Sequence, residues 1–313
     1  MPRDEDQIEM ISKPGRLRQV LREGRLVVVA ECVPPSRPDA ETVKAAAAAF
    51  RGKLDAVGVV DNRMEIMMSA VATAAILVGE GLEPIVHVTT RDRNRIALMS
   101  DVLGALALGV SNFLCTSGDH QTLGRERASR NVYDLDSVQL LSVLDRLRRE
   151  GILFEDGRKV GPCDFGLGAT ANPNAGPAEW QAIVLAKKVR AGADFIVTQP
   201  VFDAEAFAKW LGTFRELPGA GKAAILAGIL VVPSAARARE LREKVPGIEI
   251  PDAHLKRIES VAPEKQQSEA MAIAIEVIRH LRALDGVRGF YVTAEGDNRA
   301  AVEVIERADL RRG

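Results

Sequence analysis

A short run rich in β-branched residues, followed by a loop and then by a longer segment with helical apolar spacing, recurs throughout this sequence. Such alternation is typical of βα units whose strands form a parallel sheet. We predict eight strands, at residues 26–32, 56–60, 84–88, 112–115, 164–167, 194–198, 224–230 and 287–293. Eight strands in this order predict an α/β protein that closes into a (β/α)8 barrel, also called a TIM barrel.

The length of the chain agrees with one barrel. A chain of 313 residues could contain two domains, but α/β barrels of this size commonly form one unit. We therefore expect a single (β/α)8 catalytic domain over residues 1–313. The segment before the first strand includes residues 8–22, whose apolar spacing predicts an extra N-terminal helix that covers the bottom of the barrel.

The charge balance and the amino-terminal sequence argue against several kinds of partner. The 42 basic and 43 acidic residues leave a net charge of -1, so no overall field attracts nucleic acid or an anionic membrane. The terminus MPRDEDQIEM is acidic where a secretory signal is basic and then apolar, and no apolar run is long enough to span a bilayer. We expect a cytoplasmic protein that binds neither nucleic acid nor membrane.

An acidic residue lies inside the first predicted strand, in the sequence VVVAECVPP. Strand alternation places Glu31 on the same face as Val27 and Val29. If that face points into the barrel, a buried charge costs several kcal/mol unless it is paired or neutralised. Such a cost favours a functional carboxylate, and the alternative is a structural glutamate paired with an arginine at the barrel rim.

Three more polar residues fall at the ends of other predicted strands. His87 lies in the third strand, Gly118 and Asp119 follow the fourth, and Gln199 follows the sixth. Each alone also has a structural explanation, as a core histidine, a tight turn or a loop amide. Together with Glu31 they would meet at the carboxyl-terminal face, where barrel active sites lie. No metal-binding or covalent-nucleophile motif is present, so we predict no metal.

Six blocks of this sequence resemble the ordered blocks of the methylenetetrahydrofolate reductase family. They are AECVPP with Glu31, IVHVTTRDRN with His87, LCTSGDH with Asp119, KKVRAGADFIVTQPVF with Gln199, AGILVV near Gly228 and IPDAHLKRIE near His254. Together the blocks span nearly the whole chain, and the KVxAGADFIxTQ pattern is the most specific of them. The resemblance implies a (β/α)8 barrel that holds a flavin, usually FAD.

The resemblance also implies an activity and roles for individual residues. The enzyme would reduce 5,10-methylenetetrahydrofolate to 5-methyltetrahydrofolate by hydride transfer from N5 of reduced flavin. Glu31 would be the general acid that opens the five-membered ring, and the negative charge of Asp119 would favour the resulting iminium cation. Asp119 and Gln199 would bind the folate. The implied flavin-binding residues are Val60, His87, Gly118, Asp119, Tyr133 and Lys188.

Two departures from the family bear on the cofactor and the electron donor. Ser117 stands where many members have an arginine, and Asn172 lies where many have a tyrosine–proline pair, so FMN is an alternative to FAD. The SGDH form resembles short members that work with a separate zinc-binding or iron–sulfur partner protein. The electron donor therefore stays open between NADH, NADPH and such a partner, and a homo-oligomer also stays open.

Two other functions compete with this interpretation. A folate-binding barrel methyltransferase would bind methyltetrahydrofolate and transfer its methyl group to a corrinoid without any flavin. A non-catalytic barrel subunit is the third candidate, and Glu31 argues against it because a scaffold has little use for that carboxylate. The visible spectrum of the purified protein separates the first two functions, because only the reductase binds a coloured flavin.

Overall fold

The computed structural model describes residues 15–63, 65–153, 157–161 and 163–310 of the chain. These residues form a closed barrel of eight parallel strands in chain order, which confirms the predicted fold. The strands are β1 (Val27–Cys32), β2 (Ala56–Val59), β3 (Pro84–Thr89), β4 (Asn112–Thr116), β5 (Gly166–Ala171), β6 (Phe195–Pro200), β7 (Ala224–Leu230) and β8 (Val287–Thr293). The first strand pairs with the last, which closes the barrel.

Helices precede, connect and follow the strands of the barrel. They are α1 (Arg16–Arg22), α2 (Ala40–Phe50), α3 (Ala70–Gly79), α4 (Arg95–Ala107), α5 (Ser137–Glu150), α6 (Ala178–Arg190), α7 (Ala204–Arg215), α8 (Ala235–Lys244), α9 (Asp252–Glu259), α10 (Gln266–Arg282) and α11 (Asn298–Arg307). Within the described ranges, no helix has both the length and the apolar character needed to cross a membrane.

Local sequence sets where several of these helices begin and end. The carboxylate of Asp39 caps α2 by accepting a hydrogen bond from the backbone N–H of Thr42. Asp136 and Gln139 form a reciprocal capping box at the start of α5. The same helix ends at Gly151, which adopts the left-handed conformation that favours glycine. The capping box therefore starts α5 directly after the long polar segment that follows β4.

The N-terminal helix closes the amino-terminal end of the barrel, as predicted. Leu17 and Val20 of α1 are buried in an inner apolar cluster together with residues from the strands. Glu83, just before β3, accepts a hydrogen bond of 3.1 Å from the backbone N–H of Leu17. The prediction gave this helix residues 8–22; α1 covers Arg16–Arg22, and residues 1–14 lie outside the described residues.

The predicted alternation along β1 is confirmed by how its side chains pack. Val27 and Val29 belong to the inner cluster, whereas Val28 and Ala30 pack between the sheet and the outer helices. Glu31 therefore faces the inside of the barrel near the carboxyl end of its strand. The fifth strand was predicted at residues 164–167 but covers Gly166–Ala171. Its sequence GLGATA contains small residues rather than a β-branched run, so its end was not visible from composition.

Candidate active site

A cleft of about 350 Å³ opens at the carboxyl-terminal face of the barrel. We call it the central cleft, and its inner wall is formed by the last inward-facing residues of the strands. It brings together most of the site residues that the sequence predicted. They are Glu31, Val60, His87, Gly118, Asp119, Lys188 and Gln199. The predicted residues are therefore neighbours in space, although they come from distant parts of the chain.

Glu31 lies buried in this cleft with three hydrogen-bond donors around its carboxyl group. The hydroxyl of Thr293 donates to Oε1 at 2.8 Å, and the hydroxyl of Tyr291 donates to Oε2 at 3.3 Å. Arg63 approaches Oε1 at 3.4 Å. Both sequence interpretations of Glu31 thus describe part of its surroundings, because it faces inward and also has an arginine nearby. The shortest of these three contacts comes from the neutral hydroxyl of Thr293.

A hydrogen-bonded chain links Glu31 to His87 through Tyr291. The Tyr291 oxygen lies 3.1 Å from Nε2 of His87. Burial lowers the pKa of His87 to about 4, so its ring is neutral near pH 7. Burial, followed by the nearby Glu31, raises the pKa of Tyr291 well above its usual range. Since the tyrosine has one hydrogen, donating it to Glu31 requires the Nε2–H of His87 to donate to the tyrosine oxygen.

Gly58, on the neighbouring strand β2, leaves space for these hydrogen-bonded side chains. It lies opposite Glu31 in the pairing of β1 with β2. A Cβ atom at position 58 would lie 2.0 Å from the Tyr291 hydroxyl oxygen, well inside van der Waals contact. Glycine at position 58 therefore leaves the space that the Tyr291 hydroxyl occupies beside Glu31.

The turn after β4 presents Asp119 at the rim of the central cleft. Gly118 has a φ of 78°, and a Cβ there would lie 2.4 Å from Thr89, so this tight approach requires glycine. Arg91 donates hydrogen bonds to the backbone carbonyl oxygens of Asp119 at 2.9 Å and Asn62 at 2.6 Å. The guanidinium thus ties the loop after β4 to the loop after β2 and leaves the Asp119 carboxylate exposed at the rim.

Lys188 and Gln199 supply polar groups on the opposite side of the cleft. Lys188 projects from α6, and its ammonium donates a hydrogen bond of 2.7 Å to the backbone oxygen of Thr170. Burial lowers the pKa of Lys188. Gln199 lies in β6, where the pairing with β7 shifts register between Val197 and Pro200. Among the described residues its side-chain amide has no hydrogen-bond partner, so its donor and acceptor are available to a ligand.

Tyr133 is the one predicted site residue that does not line the central cleft. It is 39% exposed, and its hydroxyl lies 3.5 Å from the backbone oxygen of Gly118. Burial raises the pKa of its phenol. The structure therefore places Tyr133 at the outer rim, next to the turn that carries Asp119.

Sequence analysis missed three residues that surround Glu31. Tyr291 and Thr293 alternate on the inward face of β8, so a period-two reading of VRGFYVT would have found them. Arg63 follows β2 in a loop, and no sequence pattern predicts that its side chain turns toward β1. The network around Glu31 is thus more extensive than its strand position indicated.

Comparison with known proteins connects this cleft to a family. The sequence matches the family described as methylenetetrahydrofolate reductase over residues 16–309. The chain belongs to this family. The matched range of this reductase family contains α1, all eight strands and every residue that lines the central cleft.

Solved structures also share the fold. An uncharacterized protein from Clostridium thermocellum, described as binding two copies of 5-methyl-5,6,7,8-tetrahydrofolic acid, is 13% identical with a TM-score of 0.59. That match covers 93% of this chain and 98% of the other. DmoA from Hyphomicrobium sulfonivorans is 10% identical with a TM-score of 0.58, over 92% of this chain and 88% of the other. At such identities the similarity shows the fold alone.

Proposed function

We propose that this protein catalyses the flavin-dependent reduction of 5,10-methylenetetrahydrofolate to 5-methyltetrahydrofolate. The observation that carries the proposal is the inward-facing, hydrogen-bonded carboxyl of Glu31 in a chain that belongs to the methylenetetrahydrofolate reductase family. The 5-methyltetrahydrofolic acid described for the protein from Clostridium thermocellum supports a reduced folate as the ligand of such a barrel.

The polar groups of the central cleft suit a flavin. A flavin ring presents carbonyl oxygens and an N–H along one edge, so it needs both donors and acceptors. Lys188 offers an ammonium, Gln199 an amide and Asp119 a carboxylate around one opening. We assign flavin contacts to the six residues predicted from the family. They are Val60, His87, Gly118, Asp119, Tyr133 and Lys188. When bound in its reduced form, the flavin supplies the hydride from N5.

Glu31 prepares the folate to accept that hydride. Its protonated carboxyl transfers a proton to N10 of the folate, and the bond between N10 and the methylene carbon breaks with its electron pair going to N10. The lone pair of the folate N5 then forms a double bond to the same carbon, which becomes a cationic iminium. Thr293 and Tyr291 hold the carboxyl in place, and the charge of Asp119 stabilises the cation.

In this proposal, Gln199 binds the pterin ring of the folate. Its amide carries both a donor and an acceptor, as does the edge of the pterin ring. The position of Gln199 in β6, across the cleft from β1, would hold the pterin with its N10 end toward Glu31.

The proposed function is tested by the spectrum and by one turnover of the purified protein. We expect the absorption bands of an oxidised flavin, either as purified or after flavin is added. The flavin, once reduced without oxygen, should be reoxidised by 5,10-methylenetetrahydrofolate. A protein that binds 5-methyltetrahydrofolate but takes up no flavin would contradict the proposal and favour the methyltransferase alternative.

The loss of family side chains at two positions predicts weak discrimination between FAD and FMN. Ser117 lines the cleft where many members have an arginine, and the amide of Asn172 accepts a hydrogen bond from the backbone of Asn174. Fewer groups are therefore free to bind the adenine and its phosphate. Titration of the apoprotein with each flavin should give dissociation constants within about a hundredfold, or about 2.7 kcal/mol. A larger preference for FAD would contradict this prediction.

A further inference from the structure

A second cleft, of about 430 Å³, lies at the amino-terminal end of the barrel. We call it the lower cleft. Its walls come from α1, from the residues just before β6 and β7, and from the start of β8. Because all eight strands are parallel, their starts lie at the end of the barrel opposite the central cleft. The proposed function assigns no role to any residue that lines the lower cleft.

The polar lining of the lower cleft carries more positive than negative charge. Its ionisable side chains are Arg18, Arg22, Asp194, Lys222 and Arg288. Two of these five already have a partner of opposite charge that does not line the cleft. Arg18 is paired with Asp164, and Asp194 is paired with Arg148. The Asp194 carboxylate is therefore already neutralised and leaves the remaining cations of the cleft unbalanced.

Three cations remain around one space. Arg22, Lys222 and Arg288 have no carboxylate partner in the part of the chain that the structure describes. Arg288 donates a hydrogen bond of 3.3 Å to the backbone oxygen of Leu21, which holds its guanidinium beside α1. The three side chains come from α1, the segment before β7 and β8, so the closed barrel brings them together. Like charges gathered in this way repel one another, and a bound anion would relieve that repulsion.

The shape and chemistry of the lower cleft suit a phosphate-bearing molecule. A guanidinium presents its N–H groups in a fork that matches two oxygens of a phosphate, and a lysine adds a further charge. The volume falls in the range of roughly 300–1,000 Å³ that is typical of small-molecule sites, which is more than one phosphate needs. Leu21, Ala223 and Ala224 add apolar surface to the same walls.

We propose that the lower cleft binds a small molecule with at least two adjacent phosphate groups, as in free pyrophosphate or a nucleoside diphosphate. The phosphates pair with Arg22, Lys222 and Arg288. Such a ligand bridges α1 to the starts of β7 and β8. Leu17 of α1 packs in the inner apolar cluster that also contains Tyr291, so a ligand that holds α1 in place stabilises the folded barrel.

Calorimetric titration of the full-length protein with pyrophosphate tests this assignment. We expect Lys222→Ala to weaken pyrophosphate binding about fivefold, the effect of one exposed ion pair. Arg22→Ala should give a similar loss from the other wall of the cleft. Lys209→Ala is the matched control, because Lys209 is an exposed lysine on α7 that does not line the cleft. Pyrophosphate should also raise the unfolding temperature of the parent and of the control more than that of Lys222→Ala.

Two results would overturn the proposal. One is a parent protein that binds no pyrophosphate, and the other is binding by Lys222→Ala and Arg22→Ala that equals binding by the Lys209→Ala control. Neither result bears on the proposed function, because no measurement involves folate or flavin. A parallel titration with ADP distinguishes the two sources of the phosphates. Tighter binding than that of pyrophosphate, weakened by Lys222→Ala, identifies a nucleoside diphosphate, whereas equal or weaker binding identifies free pyrophosphate.

Discussion

Replacing Glu31 with glutamine is expected to slow the reduction of 5,10-methylenetetrahydrofolate by about 10² to 10⁴-fold while the reduction of the flavin stays nearly unchanged. Glutamine keeps the size of the side chain and an oxygen that can still accept the hydrogen bond from Thr293. It cannot release a proton to N10, so only the folate step should suffer. Rapid-mixing measurements of the two half-reactions separate these effects.

Thr293→Val is the control for this prediction. It removes the closest donor to the Glu31 carboxyl but leaves the proton in place, so we expect a much smaller loss in the folate step. Equal rates for Glu31→Gln and the parent protein would remove Glu31 from the role of general acid. A loss of the same size in both half-reactions would indicate damage to flavin binding instead.

The second large effect is expected for Gly58→Ala, a change of one methyl group. The new Cβ would lie 2.0 Å from the Tyr291 oxygen, so the ring must move away from Glu31 and His87. Overpacking of this kind costs about 1–3 kcal/mol of the free energy of unfolding. Because the carboxyl also loses a hydrogen-bond partner, the folate step should slow by about tenfold, the effect of one net hydrogen bond.

A glycine in open space provides the comparison. Gly104 lies inside α4, and a Cβ there meets no atom within 4 Å. Gly104→Ala should therefore raise the free energy of unfolding by about 0.5–1 kcal/mol, since alanine is the better helix former. Denaturant titration of both variants gives the two values. If Gly58→Ala were as stable and as active as the parent, the close packing of Tyr291 against β2 would not matter to the site.

Most of the fold could be predicted because short β-branched runs alternate along the sequence with longer segments that have helical apolar spacing. Seven of the predicted strands begin within one residue of their observed start, and β5 is the exception. Gly168 of β5 is required by the space inside the barrel, because a Cβ there would lie 2.3 Å from a ring carbon of Phe195. That requirement comes from a neighbouring strand, and no local pattern shows it.

In the candidate site, too, some residues could be predicted from the sequence, whereas the contacts between them could not. Glu31 and His87 follow from strand alternation, Asp119 and Gln199 follow from their positions after predicted strands, and the family resemblance adds Val60, Tyr133 and Lys188. The hydrogen bonds of Glu31 depend on the register that joins the first strand to the last, so they needed the closed barrel. Arg63 reaches Glu31 from a loop, whose backbone direction is set by contacts such as that of Arg91 with Asn62.

The pairing of β1 with β8 also has a consequence for how the protein is made. A ribosome releases β1 early and β8 last, so the growing chain holds an open sheet with two unpaired edges until synthesis is nearly complete. Glu31 leaves the ribosome with β1, whereas its hydrogen-bond partners Tyr291 and Thr293 leave it with β8. A chain that stops before β8 lacks the strand that closes the barrel, and the carboxyl of Glu31 then lacks both hydroxyl partners.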